Sequence, residues 1–285
     1  MQIKDIINKN RESITDDELS FFANKIRKNS VEMVYKAQSG HPGGAMGLAD
    51  IYAVLYLKYL NFTPENVDDH SRDRFLISNG HTCAAQYAAL AQRGFFPEEE
   101  LATFRQLGSR LQGHPSRKYL PIVENSSGSL GQGLSQAGGV ALGLKLQNID
   151  AHTYVCISDG ECQEGMTWEA AMAIGHNKLD KVIAFVDYNN IQIDGKVEDV
   201  MSVADLGEKF RAFGWVTKDA SGHDIQDIKS SFDWALANKD NAPKIIIFKT
   251  VLGKGVSFME HNPKWHGTPP DDETYKKAMD ELNKL

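Results

Sequence analysis

The fold turns on Ser158-Asp159-Gly160-Glu161-Cys162-Gln163-Glu164-Gly165 and on the stretch that follows at 189–195, Asn189-Asn190-Ile191-Gln192-Ile193-Asp194-Gly195. Thr153–Ile157 (TYVCI) leads into the first and Val182–Val186 (VIAFV) into the second, two short β-branched runs that read as buried parallel strands. Trp168–His176 lies between them and can form a helix, so the whole reads as one βαβ unit of roughly 30 residues. Neighbouring parallel strands lie about 4.8 Å apart, and residues at their carboxyl ends can reach the same ion. Asp159 and Asn189 stand at those two ends. Mg²⁺ prefers hard oxygen ligands, usually taking one or two from side chains and leaving the rest to water and phosphate; one carboxylate and one amide suit that division. Gly160 lets the backbone approach a phosphate, and the helix beyond it offers its positive end. Asp-Gly and Asn-Asn are also common turn pairs, so either one alone is equally consistent with a plain turn.

Taken together, with strand signals on both sides, the two pairs resemble the thiamine-diphosphate motif, usually written GDG and then NN about 30 residues on. Ser158 replaces the first glycine, a backbone position rather than a ligand.

Outward from this unit, the composition narrows the partner. The chain of 285 residues carries a formal charge of −7, with 38 acidic against 31 basic residues and no basic block, which argues against nucleic acid or an anionic membrane and for a small molecule. No apolar run approaches the roughly 18 residues of a membrane span, and MQIKDIINKNRES lacks the apolar centre of a signal peptide, so a cytoplasmic protein is expected. Cys83, Cys156 and Cys162 form no CxxC pair and indicate neither a disulfide frame nor a zinc site. The length suits one large α/β domain, 1–285, with a helical lead-in over about 1–40.

Asp16 or Asp17 is expected to cap a helix running to about Tyr35, and Leu48–Leu60 reads as a second, apolar helix, with Ser39–Gly44 (SGHPGG) as the loop between them. Further elements expected are a strand at Arg74–Ser78 and helices at Cys83–Gln92 and Pro97–Leu107. A small-residue helix then runs to about Gln147, followed by a strand at Trp215–Thr217, a helix at Asp224–Ala237, a strand at Lys244–Lys249 and a helix from Asp271. Four of nine histidines, His41, His81, His114 and His266, sit beside glycine or proline in a loop bordering a core element. Imidazole donates, accepts and changes charge near neutrality, which suits polyhydroxyl substrates and proton transfer. His70, His152, His176, His223 and His261 lack that setting and read as structural or solvated.

SGHPGG, SNGH, RQLGSRLQGHP, SSGSLGQG, SDGECQEG with NNIQIDG, and KTVLGKG with WHG resemble, in the same order, the amino-terminal cofactor domain of transketolases, over about residues 17–280. The resemblance implies an α/β fold with a mostly parallel central sheet and helices on both faces, the PP-type thiamine-diphosphate-binding domain. It further implies transfer of a two-carbon ketol unit from a ketose phosphate to an aldose phosphate, as in pentose phosphate metabolism. Asp159, Asn189 and the carbonyl of Ile191 correspond to the ligands of Mg²⁺ or Ca²⁺. His81, His266 and the Gly160 amide correspond to diphosphate contacts, with Asn189 beside them. Gly128 and Leu130 correspond to the aminopyrimidine contacts and Ile193 to the wall against the thiazolium. Glu164 corresponds to the glutamate that meets the partner's carboxylate, His114 to the residue on the donor's C1 hydroxyl, and His41 and His266 to those near the hydroxyl that loses its proton. Lys254 lies close by in the family pattern, with no role attached. Because family members continue into a pyrimidine-binding domain and a carboxyl-terminal domain, the resemblance implies the amino-terminal subunit of a split enzyme, inactive alone, in an α₂β₂ heterotetramer. Alternatives in the same cofactor class are 1-deoxyxylulose-phosphate-synthase-like enzymes, 2-oxoacid dehydrogenase α-subunits and transketolase-like enzymes acting on apulose phosphate or sulfo-sugars. In a different class, a non-catalytic paralogue would only bind a partner.

Overall fold

The structure, a computed structural model, describes residues 1–285. Its first long helix follows a short one, α1 (Ile3–Ile7). The long helix, α2 (Asp16–Ala37), is capped by Thr15 rather than by the expected aspartates. Thr15 and Glu18 satisfy each other's backbone N–H reciprocally, which neither Asp16 nor Asp17 is placed to do. Half of the anticipated SGHPGG loop is helical. Pro42 opens α3 (Pro42–Gly47), at a first-turn position where its missing N–H costs nothing. The apolar run beyond it is α4 (Ala49–Val54), which widens into a π-turn over Leu55–Tyr59.

β1 (Arg74–Ile77), α5 (Cys83–Gln92), α6 (Gln132–Leu146), β2 (Thr153–Ser158), α7 (Gly165–His176) and β3 (Val182–Tyr188) follow. The anticipated βαβ unit is present: β2 and β3 pair in parallel, with Ser158 opposite Asp187. Pro97–Leu107 departs from its expected helix, holding only a 3₁₀ segment at Glu98–Thr103 before Phe104 turns into the core and Arg105 takes a left-handed backbone, φ 59°. The quoted NNIQIDG stretch folds as an unanticipated hairpin of β4 (Ile191–Gln192) and β5 (Gly195–Lys196), turning through Ile193-Asp194. α8 (Val197–Met201) and α9 (Leu206–Ala212), also unanticipated, precede β6 (Val216–Ser221). β6 runs beyond Thr217 because it pairs along the whole of a neighbour, and as the sheet edge it tolerates Lys218 and Asp219. α10 (Ile225–Ala237), that neighbour β7 (Lys244–Lys249) and α11 (Asp272–Leu282) complete the chain.

The five main strands form one parallel sheet in the order β1-β2-β3-β7-β6. Alternation along the strands divides the core. Phe75, Tyr154, Cys156, Ile183, Phe185, Ile246 and Phe248 pack with α2, α4, α5 and α10. Leu76, Val155, Ile157, Ala184, Val186, Ile245 and Ile247 pack with α6, α7 and α9. With helices on both faces, the carboxyl ends of the strands are the open edge on which a ligand can gather, as in doubly wound sheets generally. No helix is long and apolar enough to cross a membrane.

Candidate active site

At the carboxyl end of β2 the chain turns through Asp159 into a 3₁₀ segment, Gly160–Gln163, and α7 starts only at Gly165. The helix end anticipated behind Gly160 is therefore one turn further on. Ser158 lies in extended strand, and its N–H donates to Glu161 at 3.1 Å, so serine meets no backbone obstacle here. Asp159, almost fully buried, accepts from the Gly160 N–H at 2.7 Å and from the Asn190 N–H at 2.5 Å. Asn189 donates its amide to Asp187 at 3.1 Å and accepts from the Ile191 N–H at 2.9 Å.

Two acids that the sequence pattern does not single out complete this end of the site. Asp187 is buried opposite Ser158 and accepts from the Thr250 hydroxyl. Glu161 accepts from the Ser78 hydroxyl and from the Gly131 N–H at 2.6 Å, in addition to Ser158. It thereby ties SNGH, SSGSLGQG and SDGECQEG into one piece. Gly131 is left-handed there, φ 79°, and a Cβ on it would come within 2.8 Å of Glu164 Cβ. The signal for Glu161 was a second acid three residues beyond a buried strand, between Gly160 and Glu164, both already assigned to the site.

Burial, reinforced by Asp187, pushes the Asp159 carboxyl up to about 7. Burial likewise raises Glu161 to about 7 and Asp187 to about 6. None of the three pairs with a lysine or arginine. Buried carboxyls satisfied by N–H and O–H donors, with no cation beside them, form a chemically suitable seat for a hard cation. No group of three or more His, Cys, Asp or Glu side chains is gathered for an all-side-chain metal site. The anticipated set of one carboxylate, one amide and one carbonyl is of a different kind.

Facing the acids, the four singled-out histidines come together. The His41 ring lies 5.3 Å from that of His81, 6.1 Å from His114 and 5.8 Å from His266, while His81 and His266 stack at 5.2 Å. Burial, with His266, Arg105 and His114 adding to it, lowers His41 to about 4. Burial also drives His81 well below its usual range and lowers His114 and His266. Four neutral imidazoles can therefore accept or relay protons at neutral pH. Nδ1 of His41 and Nδ1 of His266 are buried without a partner. Of the remaining histidines, His223 bonds to Asp50 and His152 lies 3.8 Å from Asp73, whereas His70, His176 and His261 are exposed.

Acids and imidazoles line one cleft of about 360 Å³. Every anticipated site residue borders it: His41, His81, His114, Gly128, Leu130, Asp159, Gly160, Glu164, Asn189, Ile191, Ile193 and His266. Gly128, Glu164 and Ile193 lie on its exposed rim, with Ile193 74% exposed. A side arm of about 480 Å³ continues past His41 and His266 between Asp194 and Lys264. Lys254 borders neither space and stands 3.3 Å from Glu260 within its own loop. The cysteines are free and buried, and Cys162 contacts the Ser158 carbonyl.

This arrangement has counterparts. The family described as transketolase, thiamine diphosphate binding domain, matches residues 19–283. The chain is 38% identical to the 6-deoxy-6-sulfo-D-fructose transketolase subunit SqwG of Clostridium sp. (strain MSTE9), covering 94% of this chain and 97% of that one. It is also 38% identical to the apulose-4-phosphate transketolase subunit of Phocaeicola vulgatus, over 93% and 94% of the two chains. Transketolase 1 of Escherichia coli is 39% identical over 91% of this chain, which spans only 41% of that enzyme. The solved structure of transketolase from Campylobacter jejuni superposes with a TM-score of 0.87 at 37% identity, over 94% of this chain and 43% of the other. With the parallel sheet, the cleft at its carboxyl edge and these matches in agreement, the chain belongs to the transketolase family and constitutes its thiamine-diphosphate-binding domain.

Proposed function

We propose that residues 1–285 act as one PP-type domain, the amino-terminal subunit of a cytoplasmic transketolase that moves a two-carbon ketol unit from a ketose phosphate to an aldose phosphate. The observation that carries this reading is the meeting of four neutral imidazoles and three buried, cation-free carboxyls in a single cleft. Asp159, Asn189 and the Ile191 carbonyl would hold Mg²⁺ or Ca²⁺ against the diphosphate, with His81, His266 and Gly160 also on it. Gly128 and Leu130 would flank the aminopyrimidine and Ile193 the thiazolium. Bound thiamine diphosphate supplies carbanion stabilisation. His114 orients the donor through its C1 hydroxyl, and His41 and His266, both neutral, take up the adjacent hydroxyl proton. Lys264 and Asp194 line the side arm that opens beside His41 and His266.

A separate subunit carrying the pyrimidine-binding domain completes the enzyme, and Glu164 on the rim is the residue offered to it. Near-complete coverage of two transketolase subunits, against two fifths of full-length transketolases, supports this division. The same two relatives favour a sulfo-sugar or apulose 4-phosphate as a second reading of the donor. The test is reconstitution with the co-purified partner, thiamine diphosphate and Mg²⁺ on a panel of ketose phosphates and sulfo-sugars. H114A is expected to lose donor turnover by roughly 100-fold with cofactor affinity kept, and H81A to lose cofactor affinity first. Ketol transfer by this chain alone, or identical behaviour of the two variants, would contradict the assignment.

A further inference from the structure

Beneath the cleft, a buried hydrogen-bonded chain runs from α2 to the loop after β7. The Arg27 guanidinium donates to Asp50 of α4, and Asp50 Oδ2 lies 2.8 Å from His223 Nδ1. His223 Nε2 in turn accepts from the Val251 N–H at 2.8 Å. Because Nε2 is an acceptor, the ring proton is on Nδ1 and is donated to the carboxylate. Three side chains, each at most 15% exposed, are thus committed to holding one backbone amide.

That amide begins the loop that backs two of the four imidazoles. Leu252 is fully buried, and a Cβ on Gly43 would meet its Cγ at 2.6 Å and the Trp265 carbonyl at 2.7 Å. Gly253 N–H donates to the Gly43 carbonyl at 2.9 Å, and His261 N–H to the Leu252 carbonyl at 3.1 Å. His41 lies two residues before Gly43, and His266 directly follows Trp265. Since Nδ1 of both rings is buried without a partner, no hydrogen bond at that nitrogen orients either ring, and the backbone on which each stands sets its position.

We propose that His223, oriented by Asp50, is a positioning residue: through the Val251 amide it fixes the Leu252–Gly253 loop and thereby the mutual placement of His41 and His266. The proposal rests on the reading of these two imidazoles as the proton-handling pair. Gln and Asn at position 223 separate the two bonds, since the end of Gln reaches the Nε2 position and the end of Asn the Nδ1 position. In the reconstituted enzyme, H223Q is expected to keep kcat within about threefold. H223N is expected to lower kcat roughly tenfold or more while donor KM and cofactor affinity stay within about twofold, because small misplacements of reacting groups cost rate before binding. In the free chain with ¹⁵N-labelled imidazoles, H223N should shift the resonances of His41 and His266 and leave His114 in place, and H223Q should leave all three. Unmoved His41 and His266 resonances in H223N, or a loss in both variants that simply follows an equal fall in thermal midpoint, would overturn the proposal. A wild-type pair that lacks ketol transfer would overturn the functional reading instead, with the resonances still deciding the role of His223.

Discussion

Asp159 is held in the fold against its own preference for water. Its carboxyl is raised to about 7, so the stability it contributes is present at acid pH and is lost as the pH rises through that value. D159A should therefore flatten the fall in stability of the free chain as the pH rises from about 4 to 7, followed by urea unfolding, while Mg²⁺-dependent binding of thiamine diphosphate, followed by calorimetry, falls by roughly 100-fold. Undiminished binding in D159A would remove Asp159 from the cation site. His41 carries the opposite sign. Its imidazole is lowered to about 4 against an ordinary value of 6.5, so its contribution is present above 6.5 and is lost as the pH falls toward 4. H41Q should flatten the decline of stability across that window, measured by urea unfolding at a series of pH values; an unaltered slope would show that His41 titrates normally. These residues were legible because their types and glycine-rich settings leave a pattern in one dimension. His223 left none: its importance lies in a bond to an amide 28 positions along, which only the folded chain brings to it.

At the level of elements, Glu161 binds the ends of β1 and β2 to the entrance of α6. Hydrogen bonds to a charged group are worth about 1.5–3 kcal/mol each, and the loss of several at once leaves buried donors unsatisfied. E161A is expected to lose about 3 kcal/mol of unfolding free energy by urea titration, with the loosened SSGSLGQG turn exchanging its amide hydrogens faster. Stability within about 0.5 kcal/mol of wild type would mean that the three loops hold without it. The strands of the βαβ unit were readable because parallel strands buried on both faces are continuous apolar runs. The β4–β5 hairpin and the outer half of β6 were not, since Gly195 and Lys196, and Lys218 and Asp219, look like turn and surface residues until a partner strand is known. The helix expected over Pro97–Leu107 failed where burial of the Phe104 side chain outweighed local propensity.

For the whole molecule, two helices that pack against each other, α6 and α7, carry four exposed apolar side chains. Leu142 and Leu146 of α6 and Met166 and Met172 of α7 are exposed, and Gly139 and Gly143 on the same helix as the leucines have open space above them. Such a patch marks an interface more often than solvent-facing surface. With the partner chain present, an α₂β₂ particle is expected by light scattering, and L146E combined with M172E should reduce the particle mass without lowering the helical signal of the free chain. Full-size particles from the double variant would place the contact elsewhere.

The strand order carries a consequence for synthesis. β7, the last strand of the sheet to be made, occupies its interior between β3 and β6. As the chain leaves the ribosome, one side of β3 has no neighbour until Lys244–Lys249 emerges. At about 5–20 residues per second this delay lasts roughly 3–12 s. For that interval a largely apolar strand presents an open edge to every other nascent chain nearby, so the yield of native protein should respond to chaperone supply and to translation speed between codons 188 and 249.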